Sequence, residues 1–290
     1  MTSISHNLSG KISPILVSIL RQVEQATLAR GIAFFIVGAT ARDLVLQHGH
    51  NIPVHRATLD LDLGVEVAGW DEFRRLKEAL IATGRFVAAR EPQRLSYERF
   101  VVDIIPYGAV STDERTIHWP PDQQVMMNIM GFQEAYSSGL TIRLSEEPRL
   151  DVRVPTVAGM ALMKLISWND DYPHRPKDAS DLLFLMEKYT EAGNDDRLFD
   201  DEPQLLEAEG FDTTLAGIRL LGRDMAAMAN QTTVTAVQAI LRQETDEQQR
   251  YRLVLDMVRE SRLTDRIDEV MMKLKKLASG FDEARGGENK

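Results

Sequence analysis

Residues 58–65 read Thr58-Leu59-Asp60-Leu61-Asp62-Leu63-Gly64-Val65, so leucine and aspartate alternate with a period of two. Because residues two apart share a face of a β-strand, the pattern predicts a strand with a leucine face for the core and an aspartate face. Two carboxylates at this spacing lie roughly 7 Å apart and repel each other by about 2 kcal/mol at an effective dielectric of about 20. Mg²⁺ prefers hard oxygen ligands of this kind and would convert the repulsion into binding. The alternative is a solvated face on an edge strand.

The composition describes a soluble globular protein. The chain has 290 residues, of which 43% are apolar and 27% charged, which suggests one large or two ordinary domains with a substantial core. It contains no cysteine, which excludes disulfides and thiolate zinc sites and fits a reducing compartment. The net charge of −10 argues against broad nonspecific binding to nucleic acid, which usually needs a basic surface.

The N-terminus is polar and lacks the apolar core of a signal peptide. No run approaches the roughly 18 apolar residues of a membrane-spanning helix. We therefore expect a cytoplasmic protein with no membrane partner.

The chain before the aspartate strand predicts a helix over residues 12–30, a buried strand over 32–37 and a helix over 40–47, with Gly38 at the turn. A glycine turn that opens a helix exposes backbone N–H groups, which is a natural place for a phosphate. Residues 47–57 form a polar loop with His48, His50 and His55. We favour an ordinary surface loop over a metal site there, because no familiar zinc spacing is present.

After the aspartate strand come a predicted helix over residues 70–82 and two strands, 85–89 and 96–105, joined by a turn near Pro92. The second strand carries Asp103 inside an apolar run. An unpaired buried charge is very costly, so Asp103 needs a cation. A metal is one source of that cation and a paired arginine is another; the remaining alternative is that Asp103 lies at a sheet edge. Side by side, the strands would bring Asp60, Asp62 and Asp103 to one face.

The rest of the chain is mainly helical by periodicity. We predict a loop or short helix over residues 120–138, short strands over 140–144 and 152–154, and an acidic loop or linker over 190–209. Helices are predicted from residue 156 and over 178–189, 212–229, 233–243, 246–261 and 264–279. The predicted class is α/β (α+β), with a small mixed sheet flanked by helices in residues 1–156 and a helical domain in residues 157–290.

Two motifs together resemble a known family. The sequence Val37-Gly38-Ala39, the Asp60-Leu61-Asp62 pair and Asp103 resemble the DNA polymerase β-like nucleotidyltransferase superfamily. Lys164, followed by Arg175-Pro176-Lys177-Asp178-Ala179-Ser180-Asp181-Leu182, resembles the Lys…Arg-x-Lys-Asp-x-x-Asp-Leu pattern of AbiEii/AbiGii-type nucleotidyltransferases. Those are abortive-infection proteins and toxins of toxin–antitoxin pairs. The resemblance covers about residues 32–190.

The chain departs from the family pattern in two places. Ala39 stands where the family has Gly or Ser, although Thr40 matches a Gly-Gly-Thr-Ala form, and the spacer from Gly38 to Asp60 is long. The segment from Gly38 to Asp43 is also similar to the Gly-Gly-x-x-Arg-Asp of tRNA nucleotidyltransferases and poly(A) polymerases. Those enzymes lack the second motif, so a housekeeping enzyme of that type ranks below a toxin.

The resemblance implies transfer of a nucleoside monophosphate from an NTP, with Mg²⁺ or Mn²⁺ as cofactor. It implies that Asp60 and Asp62 bind both metals and that Asp103 binds the one that activates the acceptor hydroxyl, or serves as its base. It implies that Asp178 orients Lys164 or Lys177, or approaches the acceptor. It also implies that the NTP is contacted by Gly38, Ala39, Thr40, Arg42, Lys164 and Lys177, with Lys164 neutralising triphosphate charge.

Plainer interpretations stay open. Lys177, Asp178 and Asp181 are also typical of a helix N-terminal charge cluster, and Lys164 of a surface lysine. Trp168 and Tyr172 could stack a base, but aromatic residues more often pack helices.

The resemblance implies a tRNA 3′ end as the acceptor, with a protein hydroxyl or a small molecule as alternatives. It also implies a cognate antitoxin as the partner. The competing hypothesis is a catalytically inactive nucleotide- or partner-binding module, which Ala39 favours.

Overall fold

The computed structural model describes residues 4–54, 59–113, 115–121, 123–246, 248, 251–259 and 266–286. The chain divides into two compact units, Met1–Thr156 and Val157–Lys290.

The first unit is a mixed α/β unit. Its strands are β1 (His6–Asn7), β2 (Ala33–Val37), β3 (Asp60–Glu66), β4 (Val87–Ala88), β5 (Arg94–Tyr97), β6 (Phe100–Tyr107), β7 (Thr116–His118), β8 (Met126–Asn128), β9 (Leu140–Ser145) and β10 (Leu150–Val154). Its helices are α1 (Pro14–Leu28), α2 (Gly38–Arg42), which continues as the π-helix Asp43–Gly49, α3 (Trp70–Ala82) and α4 (Phe132–Ser137).

The central sheet has five strands in the order β2-β3-β6-β5-β4. Strands β3 and β6 are parallel, and the other neighbouring pairs are antiparallel. The strand predicted over 32–37 and the two segments that carry Asp60, Asp62 and Asp103 therefore do lie side by side. The alternation predicted for β3 is confirmed inside the strand, since Leu61 and Leu63 are fully buried, but Leu59 precedes the strand and is 47% exposed.

The strand predicted over residues 96–105 is wrong. The segment is a hairpin, with β5 ending at Tyr97 and β6 beginning at Phe100. Glu98 makes the turn with a φ of 52°. Two-residue hairpin turns usually carry Gly, Asn or Asp where φ is positive, so the sequence gives no warning of a turn here.

Residues 120–138, predicted as a loop or short helix, contain both β8 and α4. Strand β8 pairs with β7, and β1, β9 and β10 form a separate three-stranded sheet. Just after β7, Trp119 packs against Trp70 and Phe73 of α3, which fixes the β7–β8 hairpin to that helix.

The second unit is helical. Its helices are α5 (Val157–Asp170), α6 (Pro176–Lys188), α7 (Pro203–Ala208), α8 (Thr213–Met228), α9 (Gln231–Thr245), α10 (Arg252–Arg259) and α11 (Ile267–Gly286). The prediction of a loop over residues 190–209 is wrong. That segment holds the π-helix Arg197–Asp201 and α7. Its leucines Leu198, Leu205 and Leu206 are buried, whereas Phe199 is 57% exposed, so three leucines are enough to pack the segment against the unit.

Helices α8 and α11 touch through their backbones. A Cβ atom on Gly280 would lie 1.9 Å from the carbonyl oxygen of Arg219, and one on Gly222 would lie 2.3 Å from that of Leu277. Beside this crossing, Arg219 and Arg223 both donate to the carboxylate of Glu283. The glycines allow the approach, and the ion pairs hold it.

The predicted fold class, a small mixed sheet with flanking helices followed by helices, is confirmed. Within the described parts of the chain, every helix is too short or too polar to cross a membrane.

Candidate active site

The candidate site of the first unit is a row of residues across four strands of the central sheet. Val37, Asp62, Asp103 and Arg94 are successive direct partners on β2, β3, β6 and β5. Asp60 precedes Asp62 by two residues on the same face of β3 and pairs with Val101. Two of the three predicted carboxylates are thus immediate cross-strand neighbours, and the third follows along the strand.

Gly38 lies directly against Asp62. A Cβ atom at position 38 would stand 2.2 Å from Oδ2 and 3.1 Å from Cγ of Asp62, and the φ of Gly38 is +67°. Both the close approach and the left-handed backbone require glycine. The turn after β2 therefore forms one wall of the space that holds the Asp62 carboxylate.

The residues after Gly38 tie the start of α2 to β3. The Thr40 hydroxyl, predicted to contact phosphate, donates to the backbone carbonyl of Asp60 at 3.0 Å. Arg42, predicted to contact NTP, is 8% exposed, and its guanidinium forms a 3.0 Å ion pair with Asp43. Both side chains thus make contacts that stabilise the turn.

The cation at Asp103 is the guanidinium of Arg94. Its Nε and one terminal nitrogen donate to the two carboxylate oxygens of Asp103, both at 2.9 Å. The hydrogen bonds and the charge of Asp103 raise the pKa of Arg94 above its usual value. The sequence left open whether a metal or an arginine neutralises Asp103, and in the structure Arg94 does so.

Sequence reasoning missed Arg94. The pairing depends on the two-residue turn at 98–99, which places residue 94 directly opposite residue 103, and the sequence carries no signal for that turn.

Lys77 on α3 is a second cation near Asp103. Its ammonium donates to the carbonyl of Pro92, in the turn before β5. Burial lowers the pKa of Lys77, and the charge of Asp103 partly opposes that shift. The Asp103 carboxylate therefore interacts with the positive charges of two side chains, Arg94 on β5 and Lys77 on α3.

The three carboxylates suit a divalent metal by chemistry, since they supply hard oxygen ligands on one sheet face. In the described part of the chain, however, no three His, Asp or Glu side chains are already grouped as a metal site. Convergence of all three on one preformed site is therefore not observed. At Asp103, a metal would compete with Arg94 for the carboxylate oxygens.

In the second unit, Lys164 lies between two carboxylates of α6. Its ammonium is 2.6 Å from Asp178 and 2.7 Å from Asp181, and Arg175 adds a 3.3 Å contact to Asp178. Burial lowers the pKa of Lys164, but the two aspartates outweigh it and the net shift is upward. Lys164 is therefore not a freely solvated surface lysine, whereas Lys177 is exposed.

The aromatic residues near Lys164 belong mainly to the helix packing. Trp168 is fully buried and donates its indole N–H to Asp256 at 3.0 Å, so it is not available to stack on a base. Tyr172 packs edge-on against Trp168, and the guanidinium of Arg252 lies 4.7 Å from its ring centre.

Of the three histidines in the predicted loop 47–57, the structure describes His48 and His50. The ring of His50 packs against that of His6 at 4.9 Å, which anchors the end of the π-helix to β1. His55 lies outside the described residues.

Two solved structures show limited similarity. The solution structure of the antibiotic-resistance factor ANT(2'')-Ia is 13% identical, with a TM-score of 0.37, over 69% of this chain and 98% of that chain. The Thermotoga maritima CCA-adding enzyme complexed with tRNA is 14% identical, with a TM-score of 0.26, over 94% of this chain and 80% of that chain. Among curated proteins, none matches.

A family model described as the nucleotidyl transferase AbiEii toxin of type IV toxin–antitoxin systems matches residues 21–273. The match includes the carboxylate row, the Lys164 cluster and most of the C-terminal helices. It confirms the resemblance drawn from the two sequence motifs, and with it the enzyme class, a nucleotidyltransferase. The chain belongs to the AbiEii nucleotidyl transferase toxin family.

Proposed function

We propose that this enzyme is a metal-dependent toxin that transfers a nucleoside monophosphate from an NTP to an acceptor hydroxyl. The observation that carries the proposal is the carboxylate row, in which Asp62 and Asp103 are direct partners on parallel strands and Asp60 shares their face. Such transfers depend mainly on positioning and on neutralising charge. Three acidic residues beside a glycine turn could position the substrate and hold the metal that would neutralise its charge.

In this proposal Asp60, Asp62 and Asp103 hold Mg²⁺ or Mn²⁺. The bound metal would neutralise phosphate charge and hold the attacking and leaving oxygens. Asp62 keeps its orientation because Gly38 leaves room for its carboxylate. In the proposal Asp103, once released by Arg94, would also accept the proton of the acceptor hydroxyl.

The turn at Gly38, Ala39 and Thr40 is the proposed site for the triphosphate, through backbone N–H groups. The bond from Thr40 to the Asp60 carbonyl holds that turn next to the carboxylates, so we assign Thr40 a positioning role through its side chain. Arg42 stays in the proposal as a triphosphate contact that would have to exchange its pair with Asp43 for a phosphate oxygen.

In domain terms, we propose that residues 1–156 form the nucleotidyltransferase core and residues 157–290 a helical domain. Lys164 stays in the proposal as a residue that neutralises triphosphate charge, with Asp178 orienting it. The 2.6 Å contact between the two supports that orientation. Lys177, which is exposed, is proposed as a further triphosphate contact.

For the acceptor we propose a tRNA 3′ end. A protein hydroxyl and a small molecule are the alternatives, because a net charge of −10 is unfavourable for binding nucleic acid. The family description as a toxin of a toxin–antitoxin system supports a cognate antitoxin as partner. The lack of cysteine supports action in the reducing cytoplasm.

The test is incubation with each radiolabelled NTP, Mg²⁺ or Mn²⁺, and total tRNA. We expect label on tRNA from the wild type and none from Asp60→Ala, while Asp71→Asn, at an exposed acid on α3, behaves as wild type. Label in the protein or small-molecule fraction would keep the transferase and change the acceptor. NTP turnover that survives in Asp60→Ala would contradict the site.

A second candidate is a binding module without catalysis, which the occupation of Asp103 by Arg94 and the presence of Ala39 favour. Calorimetric binding of an NTP with no product over hours would support it. A housekeeping tRNA nucleotidyltransferase is the remaining alternative, and it would label tRNA without arresting growth when the protein is expressed.

A further inference from the structure

The pair between Arg94 and Asp103 has features of an exchangeable contact. The Asp103 side chain is 16% exposed and that of Arg94 is 37% exposed, so the guanidinium can reach solvent while the carboxylate is mostly covered. A planar guanidinium that donates to both oxygens of a carboxylate is a strong and specific contact. It nevertheless carries one positive charge, whereas a divalent metal carries two.

Arg94 has a second acid within reach. Its guanidinium lies 3.9 Å from the carboxylate of Glu91, whose side chain is 48% exposed. Glu91 is three residues earlier, on the turn that leads into β5. A guanidinium that leaves Asp103 therefore has a nearby carboxylate to receive it.

The backbone around Arg94 is held independently of its side chain. The N–H of Arg94 donates to the carbonyl of Glu91 at 3.0 Å, and the N–H of Ile104 donates to the carbonyl of Gln93 at 2.9 Å. Lys77 holds the carbonyl of Pro92 in the same turn. Exchange between Asp103 and Glu91 thus needs only a change of side-chain rotamer, with the strand in place.

We propose that Arg94 is a positioning residue that holds Asp103 until a divalent cation takes it, so that metal binding at Asp103 and release of the guanidinium to Glu91 are coupled. The inference rests on the proposed metal-dependent function and adds a residue to it. It explains how Asp103 is neutralised without metal, at a position where an unpaired charge would be costly. It also predicts that the enzyme binds metal more weakly than the bare carboxylates would.

The experiment measures binding of Mn²⁺ alone to the full chain by electron paramagnetic resonance, without NTP. We expect Arg94→Gln to lower the Kd of Mn²⁺ about tenfold, which corresponds to about 1.4 kcal/mol. Arg94→Lys, which keeps the charge but not the two-pronged contact, should lower it less. Arg74→Gln is the control, because Arg74 is an exposed arginine paired with Asp71 on α3, and it should leave the Kd unchanged.

A double-variant comparison separates direct competition from a general charge effect. In an Asp103→Asn background, Arg94→Gln should have no further effect on the Kd. If it tightens binding there as much as in the wild type, the coupling through Asp103 is refuted. An unchanged or raised Kd in Arg94→Gln itself would also overturn the proposal.

Glu91→Gln provides a test that leaves Arg94 and Asp103 intact, in case the Arg94 variants fold poorly. Loss of the receiving carboxylate should weaken Mn²⁺ binding several-fold, and should do nothing in an Arg94→Gln background. An unchanged Kd in Glu91→Gln would contradict the exchange.

The same titrations distinguish a failure of the Arg94 proposal from a failure of the proposed metal site. If the wild type binds Mn²⁺ and Asp60→Ala abolishes it, while Arg94→Gln has no effect, the inference about Arg94 fails and the metal site stands. If neither wild type nor any Arg94 variant binds Mn²⁺, the proposed metal dependence fails, and the inference fails with it.

Discussion

The Oδ2 atom of Asp62 lies 2.2 Å from the point where a Cβ atom on Gly38 would stand. The glycine of the turn and the carboxylate of the neighbouring strand therefore share one space. Any side chain at position 38 must displace that carboxylate or the turn.

Gly38→Ala should consequently reduce nucleotidyl transfer at least about 100-fold, since a displacement of about 1 Å at a reacting group can cost that much. The left-handed backbone adds a stability cost of about 1–2 kcal/mol. Gly84→Ala is the matched control. Its φ is +72° and its Cβ would meet nothing within 4 Å, so it should cost similar stability and leave activity intact. Equal activity losses in both variants would refute the role of the close contact.

Lys164→Met should destabilise the second unit by about 3 kcal/mol. The substitution leaves Asp178 and Asp181 facing each other in a largely buried place without their ammonium, and breaking a buried ion pair from one side costs that order of energy. Adding Asp178→Asn and Asp181→Asn should recover most of it. Hydrogen exchange of α5 and α6 measures the effect.

The control is Lys188→Met, which breaks a more exposed pair with Glu191 on the surface and should cost less than about 1 kcal/mol. If both lysine variants have equally small effects on exchange, Lys164 does not hold the cluster together.

Tyr107→Phe should leave the protein as stable or up to about 1 kcal/mol more stable. Tyr107 is 1% exposed, and within the described part of the chain its hydroxyl has no hydrogen-bond partner, so the substitution removes a desolvation penalty. Tyr97 is equally buried, but its hydroxyl meets Ser18 and Gln22 at 3.1 and 3.0 Å. Tyr97→Phe should therefore lose about 1–2 kcal/mol. Urea unfolding of both variants measures the difference, and the opposite order would be incompatible with this account.

Stability of the first unit should fall as the pH drops below about 6.5. Burial lowers the pKa of His6, and burial together with the charge of His6 lowers that of His50. The unfolded chain then binds more protons than the folded one just below the ordinary histidine pKa, so stability is present above that pH and is lost on acidification.

The measurement is urea unfolding at several pH values in a Trp168→Phe background, where only Trp70 and Trp119 of the first unit report. His50→Gln should flatten the pH dependence between pH 7 and the lower limit of the titration, about pH 5. His174→Gln, at a histidine whose side chain is 76% exposed, should not. A slope that His50→Gln leaves unchanged would assign the effect to other groups.

Much of the candidate site followed from local features of the sequence. Alternation of apolar and acidic residues over 60–63 predicted which side chains are buried, because side-chain direction along a strand depends only on position within it. The sequence also predicted that Asp103 pairs with a cation, because burying an unpaired charge costs free energy. The second motif placed Lys164 together with Asp178, through resemblance to a family.

The identity of the cation at Asp103 was decided by tertiary structure. It depends on the register of β5 and β6, which is set by the turn at Glu98, a residue with no sequence signal for a positive φ. The contact of Gly38 with Asp62 likewise requires β2 and β3 to be neighbours. The sequence alone determined which residues need a partner, since burial and periodicity are local. Strand order and register determined which partner each one has, because they join residues that are distant along the chain.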